Sequence, residues 1–315
     1  MTKLDEKEII DIMANALEMG SDLDDVALVG KNVVFKADML VASTDVPPCM
    51  EPYQVARKSI VSCVSDLAAK GIKPRAGLIS LGLPRECTRL YVEGLADGFA
   101  AAAKEFGLKI VGGDTNETHS LVIDCCMIGF ARDGRKMPKR KGARPGDLVI
   151  VSGMFGLPPA GLAILMRGAK ATNGVFRKQA IESVLEPKPR QRFGITLARY
   201  FSSSIDSSDG LAISLYELAK QSKVNIIIDD LPIVDGVEQF AYENGIDPNE
   251  LVFHGGEEYE IVATISETKL GQAQAAAKRA NVELHIIGRV QKGPGKVFVG
   301  ENLLENRGYV HFRLR

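Results

Sequence analysis

Apolar segments that end in glycine and then a carboxylate recur along this chain, and the clearest of them is VGGDTN at residues 111–116. The apolar residues before it predict a strand. The two glycines predict a sharp loop at its end, because glycine tolerates positive φ and lets a ligand approach the backbone amides. Asp114 would offer oxygen atoms to a hard cation. GGD also occurs in ordinary turns, so this stretch indicates a site only if other carboxylates join it.

Composition bounds the fold and the partners. A chain of 315 residues is long for one hydrophobic core, so we expect two α/β domains of about 150 residues each. Lys and Arg number 39 and Asp and Glu 40, a balance that argues against a nucleic-acid partner and favours a small-molecule protein. No apolar run approaches the roughly 18–20 residues that span a bilayer, and the charged N-terminus does not resemble a signal peptide. We therefore expect no membrane partner and a cytoplasmic location. Five cysteines without a CxxC pair indicate free thiols.

Hydrophobic periodicity predicts helices and strands in alternation, which is the order of an α/β protein. The first half is predicted to contain a helix at 5–19, a hairpin at 26–29 and 33–41, a helix ending near residue 71, a strand at 75–83, a helix at 90–106 and strands at 108–111 and 121–131. The alternation resumes at residue 148. A loop with seven Lys or Arg residues at 132–144 separates the halves, so we place the domains at 1–140 and 141–315. This loop is either a solvated linker or a source of cations for a nucleotide phosphate.

Acidic residues stand near the ends of apolar elements in both halves. They are Asp24, Asp25, Asp38, Asp66, Asp114, Asp206, Asp209 and Glu257. Such carboxylates suit Mg²⁺ with phosphate better than soft-metal chemistry. Asp38 could instead occupy a solvent-facing strand edge, and Asp209 could cap the helix that follows it. Asp66 lies near the end of its helix, where a nearby cation would offset the unfavourable helix dipole.

Motifs spread over nearly the whole chain resemble, in the same order, those of the thiamine-monophosphate kinase family. They are DDVAL (24–28), ADML (37–40), SDLAAKG (65–71), SLGLP (80–84), VGGDT (111–115), GARPGD (142–147), SSDGL (207–211) and GGEEYE (255–260). STDVPP at 43–48 resembles the archaeal form. The wider superfamily is that of aminoimidazole ribonucleotide synthetase.

The resemblance implies an α/β (α+β) two-domain fold, in which the N-terminal sheet pairs with that of a second subunit to form a barrel in a homodimer. ATP and Mg²⁺ would bind between this domain and a C-terminal α/β domain. By motif, the metal ligands would be Asp24, Asp38, Asp66, Asp114 and Asp206, with Asp209 a further one. Gly113 and Asp114 would lie at the nucleotide, and Arg140 and Ser208 would contact its phosphates. Asp45, at the place of a His in the bacterial pattern, Glu257 and Tyr309 would lie near thiamine monophosphate.

The implied reaction is phosphorylation of thiamine monophosphate by direct attack of its phosphate on the γ-phosphorus of ATP. A phosphate monoester is already largely ionised near pH 7, so no protein nucleophile is required, and catalysis would be alignment plus charge neutralisation by Mg²⁺. Lys36 and Ala37 depart from the family, which commonly has hydroxyl residues there, and Cys63 replaces an Asn. The alternatives are a related ATP-dependent enzyme with another substrate, such as an amidine ribonucleotide, and a nucleotide-binding protein without catalytic activity.

Overall fold

The computed structural model describes residues 4–19, 23–131 and 137–312, and it contains two β-sheets with helices packed on them. The mixed α/β, two-domain fold predicted from the sequence is confirmed. Within these residues, every helix is either too short or too polar to cross a lipid bilayer. The part of the predicted basic loop at 132–136 lies outside the described residues.

The N-terminal sheet has five strands. Its half of the chain contains α1 (Glu6–Ala16), β1 (Ala27–Val29), β2 (Val33–Val41), α2 (Ala42–Asp45), α3 (Pro52–Ala69), β3 (Pro74–Leu83), α4 (Arg89–Phe106), β4 (Lys109–Glu117) and β5 (Val122–Phe130). The strands are ordered β1-β2-β5-β3-β4, and only β3 and β4, joined by a helical crossover, run parallel. The predicted hairpin is confirmed, because Val29 pairs with Val33 across its turn.

The C-terminal sheet has seven strands. This half contains β6 (Asp147–Val151), α5 (Leu157–Arg167), α6 (Gly174–Leu185), α7 (Gln191–Leu197), a 3-10 turn (Ala198–Tyr200), β7 (Phe201–Ser207), α8 (Leu211–Ser222), β8 (Val224–Ile228), α9 (Val237–Glu243), α10 (Pro248–Phe253), β9 (Glu260–Ser266), α11 (Glu267–Ala280), β10 (His285–Lys292), β11 (Val297–Val299) and β12 (Asn302–Leu303). The strand order is β12-β11-β8-β10-β6-β9-β7. The sequence analysis did not predict α10, β11 or β12, which are too short to show a clear period.

Helix α3 lies between the two domains. It begins where Glu51 and Gln54 form a reciprocal capping box with Pro52 in the first turn, and it ends just before Gly71, which has a φ of 70°. Of its 18 residues, 14 are buried, far more than a single amphipathic face would bury. The end of the helix shares a core with the C-terminal domain, where Ala68 and Ala69 belong to the same buried cluster as residues of α7 and β9. One helix therefore fixes the position of both sheets.

The stretch at residues 111–116 forms the middle of β4, so the prediction of a sharp loop there is wrong. Neither Gly112 nor Gly113 has a positive φ. A Cβ atom at Gly113 would lie 1.7 Å from the carbonyl oxygen of Ile79 on β3, so a side chain there would force the two strands apart. Glycine is thus needed here for close strand packing, a use that the sequence pattern alone does not distinguish from a turn.

Candidate active site

Three buried aspartates converge from three separate elements. Asp25 precedes β1, Asp66 lies in the last turn of α3, and Asp206 lies near the end of β7. One carboxylate oxygen of each lies within 4.8 Å of the others. The exposed fractions of the three residues are 5%, 6% and 7%. We call these residues the three-aspartate group, and its oxygen atoms suit a hard divalent cation.

Lys70 and Arg140 hold the first member of this group. The Nζ atom of Lys70, which is fully buried, lies 2.7 Å from Asp24 Oδ1 and 2.8 Å from Asp25 Oδ2. It also donates a hydrogen bond to the carbonyl oxygen of Ser204 on β7. Arg140 donates from Nε to Asp25 Oδ1 at 2.6 Å. These contacts join the segment before β1, the end of α3 and the start of the C-terminal domain.

Lys36 holds the second member. Its Nζ atom lies 2.6 Å from Asp66 Oδ2 and 3.8 Å from Asp38 Oδ2, and its side chain is 19% exposed. A cation that offsets the unfavourable position of Asp66 in its helix is therefore present, and it comes from a neighbouring strand.

The pKa values show how the carboxylates compete for charge. Burial, followed by the negative charge of Asp206, raises the pKa of Asp66 well above its usual range. Burial and the charge of Asp25 likewise raise the pKa of Asp206. Burial also opposes ionisation of Asp25, but Lys70 and Arg140 together hold its pKa below the usual value. A divalent cation would allow all three carboxylates to ionise together.

The fit of a metal ion to these residues can be judged from atoms that lack partners. Within the described residues, Asp25 Oδ2 is buried and accepts no hydrogen bond, although Lys70 Nζ lies nearby. Ser207 Oγ, next to Asp206, is also buried without a partner. A buried oxygen without a hydrogen bond in an all-carboxylate group is consistent with Mg²⁺ binding.

Two further predicted ligands lie beside the three-aspartate group. Asp24 contacts Lys70, and its Oδ2 accepts a hydrogen bond from the backbone N–H of Arg140 at 3.3 Å. Asp38 lies on β2 beyond the part that pairs with β1, so its strand has a neighbour on one side only. Burial, only partly offset by Lys36, raises the pKa of Asp38. Asp38 can therefore lie at a strand edge and still belong to the predicted metal site.

Asp209 follows β7 but does not cap α8, so the capping interpretation is wrong. The N-cap residue is Gly210, and no side chain caps that helix. Asp209 is open to solvent, yet desolvation by the surrounding protein, followed by the charge of Asp206, raises its pKa to about 7. Among the carboxylates that act on Asp209, Asp206 of the three-aspartate group has the largest effect, followed by Glu6, Glu257 and Asp38.

Cross-strand register relates the predicted nucleotide residues to Asp38. Asp38 pairs with Cys125, Cys125 with Ile79, and Ile79 with Gly113, so all four lie in one row across the N-terminal sheet. Asp114 lies in the next row, where side chains face the other way in a regular sheet. The structure therefore brings Gly113 level with Asp38 but leaves Asp114 outside the three-aspartate group, on an exposed strand.

Lys58 connects the predicted substrate residues across the domains. Its side chain is 3% exposed, and its Nζ lies 2.7 Å from Glu257 Oε1 and 2.7 Å from the carbonyl oxygen of Asp45. The carboxylate of Asp45 turns back to accept a hydrogen bond from the N–H of Val41. Tyr259 donates its hydroxyl to Glu257 Oε2 at 3.0 Å. Both oxygens of Glu257 are therefore held in place.

The loop that carries Glu257 has an unusual backbone. Glu257 and Tyr259 have φ values of 71° and 53°, a conformation that costs non-glycine residues roughly 1 kcal/mol or more each. Hydrogen bonds from their N–H groups to the carbonyl oxygens of Ser208 and Ser207 hold the loop. Tyr309 joins the same region, since its N–H donates to the carbonyl oxygen of Asp209, and its side chain is 40% exposed.

A cavity of about 720 Å³ opens beside this loop in the C-terminal domain. Glu257, Glu258 and Glu260 line it together with Arg190, which pairs with Glu260. Burial raises the pKa of Glu258 well above its usual range. The volume is in the range of small-molecule sites.

Sequence reasoning missed three residues of this site. Asp25 was counted among the acidic positions but was not chosen as a ligand, and Lys58 and Lys70 were not considered. The sequence did carry a signal, because both lysines belong to the α3 segment around Asp66. Their partners, however, lie in other parts of the chain, so helical periodicity could not indicate them.

Comparison with known proteins identifies the class to which this fold and site belong. Residues 23–131 match the family described as AIR synthase related protein, N-terminal domain, and residues 144–301 match AIR synthase related protein, C-terminal domain. The chain therefore belongs to the AIR synthase related proteins.

Individual relatives narrow this class. A thiamine-monophosphate kinase of Nitrosopumilus maritimus is 42% identical over 317 residues, which cover 99% of this chain and 100% of the relative. The thiamine-monophosphate kinase of Pyrococcus horikoshii is 36% identical, and the match covers 97% of this chain and 94% of the relative. The solved structure of AaThiL complexed with AMPPCP and TMP has a TM-score of 0.86 and 30% identity, covering 99% of each chain. The chain thus belongs to the thiamine-monophosphate kinase family and is a kinase.

Proposed function

We propose that this kinase transfers the γ-phosphate of ATP to thiamine monophosphate and so forms thiamine diphosphate. The observation that carries the proposal is the segment 206–209, the end of β7 and the residues after it, which lies between the proposed metal site and the proposed substrate site. Asp206 and Asp209 belong to the acidic cluster, while the carbonyl oxygens of Ser207 and Ser208 hold the loop of Glu257. The relatives bound to, or named for, thiamine monophosphate support this choice of acceptor.

The residues present fit Mg²⁺, which supplies positive charge for the phosphates when it is bound. The three-aspartate group would hold it together with the predicted ligands Asp24, Asp38 and Asp209, whereas the predicted ligand Asp114 lies outside this group. For the nucleotide, Gly113 lies in the sheet row of Asp38, and Arg140 and Ser208 lie beside the acidic cluster. Arg140 is 26% exposed and carries a fixed positive charge suited to a phosphate.

The acceptor would lie near Asp45, Glu257 and Tyr309. Thiamine monophosphate contains a cationic ring, and the fixed carboxylate of Glu257 is suited to a positive charge. Lys58 and Tyr259 orient that carboxylate, so they act as positioning residues. Asp45 contributes to the same place through its backbone, which Lys58 anchors.

The reaction requires no protein nucleophile. A bond forms between an oxygen of the acceptor phosphate and the γ-phosphorus of ATP, the bond to the β–γ bridging oxygen breaks, and ADP leaves. Because the acceptor is already ionised near neutral pH, the protein's task is to align the two phosphates and to offset their charge. The basic residues Lys36, Lys70 and Arg140 contribute to that balance from fixed positions.

The test is formation of thiamine diphosphate from ATP, Mg²⁺ and thiamine monophosphate, measured by chromatography together with ADP. We expect stoichiometric products, and we expect loss of turnover in Asp206→Asn. Asp229→Asn is the matched control, because Asp229 is exposed and pairs only with Arg289 among the described residues. Absence of thiamine diphosphate at saturating substrates would contradict the proposal.

The same assay separates the two alternatives. ADP release with an amidine ribonucleotide, and none with thiamine monophosphate, would identify a related enzyme with another substrate. Calorimetric binding of Mg-ATP without turnover of any acceptor would identify a nucleotide-binding protein.

We also propose a homodimer formed through the N-terminal sheet. The face of this sheet that packs on α3 is buried, whereas the opposite face exposes large apolar side chains, namely Phe35, Met39, Leu78 and Phe130. Apolar residues gathered on one sheet face indicate a covered surface. Light scattering should give twice the chain mass, and the double variant Met39→Lys, Leu78→Lys should give the single mass. A wild-type monomer would contradict this assembly.

A further inference from the structure

Lys36 places a positive charge inside the acidic cluster. It lies on the buried side of β2, two residues before Asp38, and its Nζ is 2.6 Å from Asp66 Oδ2 and 3.8 Å from Asp38 Oδ2. The ammonium group therefore bridges a strand and the end of α3. Among the described residues, neither of these aspartates forms an ion pair with any other lysine or arginine.

The balance of charges in the cluster shows what the Lys36 ammonium contributes. The cluster contains six carboxylates and three basic groups, namely Asp24, Asp25, Asp38, Asp66, Asp206 and Asp209 with Lys36, Lys70 and Arg140. Lys70 and Arg140 form ion pairs with Asp24 and Asp25. Among the described residues, Lys36 is therefore the one basic side chain that pairs with the carboxylates on the β2 side of the cluster, Asp38 and Asp66. Without Lys36, a mobile cation would have to neutralise that side.

We propose that the Lys36 ammonium is a built-in cation that replaces one divalent ion between Asp38 and Asp66. This inference rests on the proposed Mg²⁺ site. An ammonium group donates hydrogen bonds to carboxylates but offers no coordination position. A threonine side chain at position 36 would instead offer a hydroxyl oxygen, which can share in metal binding. With Lys36 in place, the chain therefore binds fewer divalent ions with its nucleotide than a chain with threonine there.

The first readout is the number of Mn²⁺ ions bound per chain in the presence of AMPPCP, measured by the electron paramagnetic resonance signal of free Mn²⁺. We expect Lys36→Thr to bind one more ion than the wild type. Lys36→Arg retains the charge and should bind the same number as the wild type. Equal numbers in the wild type and Lys36→Thr would overturn the inference.

The second readout is thermal stability without nucleotide. In EDTA, Lys36→Met leaves two carboxylates without their cation, so its melting temperature should fall by roughly 5 °C or more. Saturating Mg²⁺ should restore most of this loss, because the divalent ion enters the vacated position. The matched control is Arg57→Met, which removes a buried cation paired with Glu105, far from the carboxylates. Its loss should remain when Mg²⁺ is added.

The outcomes separate this inference from the proposed function. If the wild type binds Mn²⁺ and forms thiamine diphosphate, but Mg²⁺ restores Lys36→Met no better than Arg57→Met, the built-in cation is refuted and the kinase proposal survives. If neither the wild type nor any variant binds Mn²⁺ with AMPPCP, the metal site itself is refuted, and the inference falls with it.

Discussion

Replacement of Lys70 by methionine should destabilise the metal-free protein strongly. Lys70 is fully buried, and its ammonium contacts Asp24, Asp25 and the carbonyl oxygen of Ser204 at 2.7, 2.8 and 2.6 Å. Methionine has a similar length, so it fills most of the space but removes the ammonium from beside Asp24, Asp25 Oδ2 and the carbonyl oxygen of Ser204. The effect therefore measures electrostatics more than packing.

The magnitude follows from the cost of breaking a buried ion pair from one side, about 3–5 kcal/mol. Arg140 still contacts Asp25 in the variant, so the lower end of this range applies, about 3 kcal/mol. For a chain of this size, about 2 °C in melting temperature corresponds to each kcal/mol, so we expect a fall of roughly 6 °C. Urea unfolding in EDTA gives the free energy of unfolding directly.

The pH dependence supplies an independent test. Lys70 and Arg140 hold the pKa of Asp25 below its unfolded value, so the stabilisation is present above about pH 4 and is lost as the pH falls through the folded-state pKa. The difference between Lys70→Met and the wild type should therefore be largest near pH 7 and should shrink below about pH 4. A difference that is constant over this range would show that packing, not charge, is responsible.

Two controls define the result. Lys269→Met removes an exposed lysine of α11 and should change stability by no more than about 0.5 kcal/mol. The double variant Lys70→Met, Asp24→Asn removes one of the uncompensated charges and should recover part of the loss. If Lys70→Met is destabilised by less than about 1 kcal/mol in EDTA, the reasoning from buried ion pairs is refuted.

Three further predictions concern the site and its surroundings. Asp114→Asn should lower turnover roughly a hundredfold or more while the melting temperature stays close to that of the wild type, because Asp114 lies on an exposed strand; wild-type turnover would remove it from the site. Lys58→Met should raise the KM for thiamine monophosphate more than it lowers kcat, since Glu257 loses its partner, and Lys58→Arg should recover part of the affinity; an unchanged KM would contradict the positioning role. Iodoacetamide at pH 8 should label exposed Cys49 well before Cys125, because burial raises the pKa of Cys125 to about 12, and mass spectrometry of the digested protein measures the order.

The order of elements could be predicted from the sequence because hydrophobic period is a local property. The hairpin before α3 is an example that the structure confirms. The role of α3 could not be predicted in the same way. Its stripe of apolar residues indicates one buried face, whereas burial of the other face depends on packing with the second domain.

At the candidate site, too, some residues could be predicted from the sequence and others could not. The acidic residues could be found because each carboxylate lies within an apolar element or next to one, which needs a reason within the local sequence. The basic partners could not, because a lysine in a helix usually lies in solvent. Lys70 becomes a core residue only when the segment before β1 and strand β7 bring Asp24, Asp25 and Ser204 around it.

The glycines at residues 112 and 113 illustrate an ambiguity of residue type. Glycine serves a turn through positive φ and a sheet through close backbone approach, and the letters are the same in both cases. Here the second use applies, since Gly113 lies against Ile79. The row that contains Gly113 also contains Asp38, three strands away, so the predicted nucleotide contact and the predicted metal ligand share a row of one sheet and not a loop.

Helix α3 sets the distance between the proposed substrate site and the three-aspartate group. Lys58 holds the carboxylate of Glu257 at the end of the helix where we propose the substrate site, and Asp66 belongs to the three-aspartate group at the other end. Eight residues of α-helix separate them, a rise of about 12 Å. Because α3 is buried between both domains, this distance is fixed before any ligand binds. A reaction that relies on alignment without a protein nucleophile needs such a rigid element, since small errors in the position of either phosphate would slow the transfer.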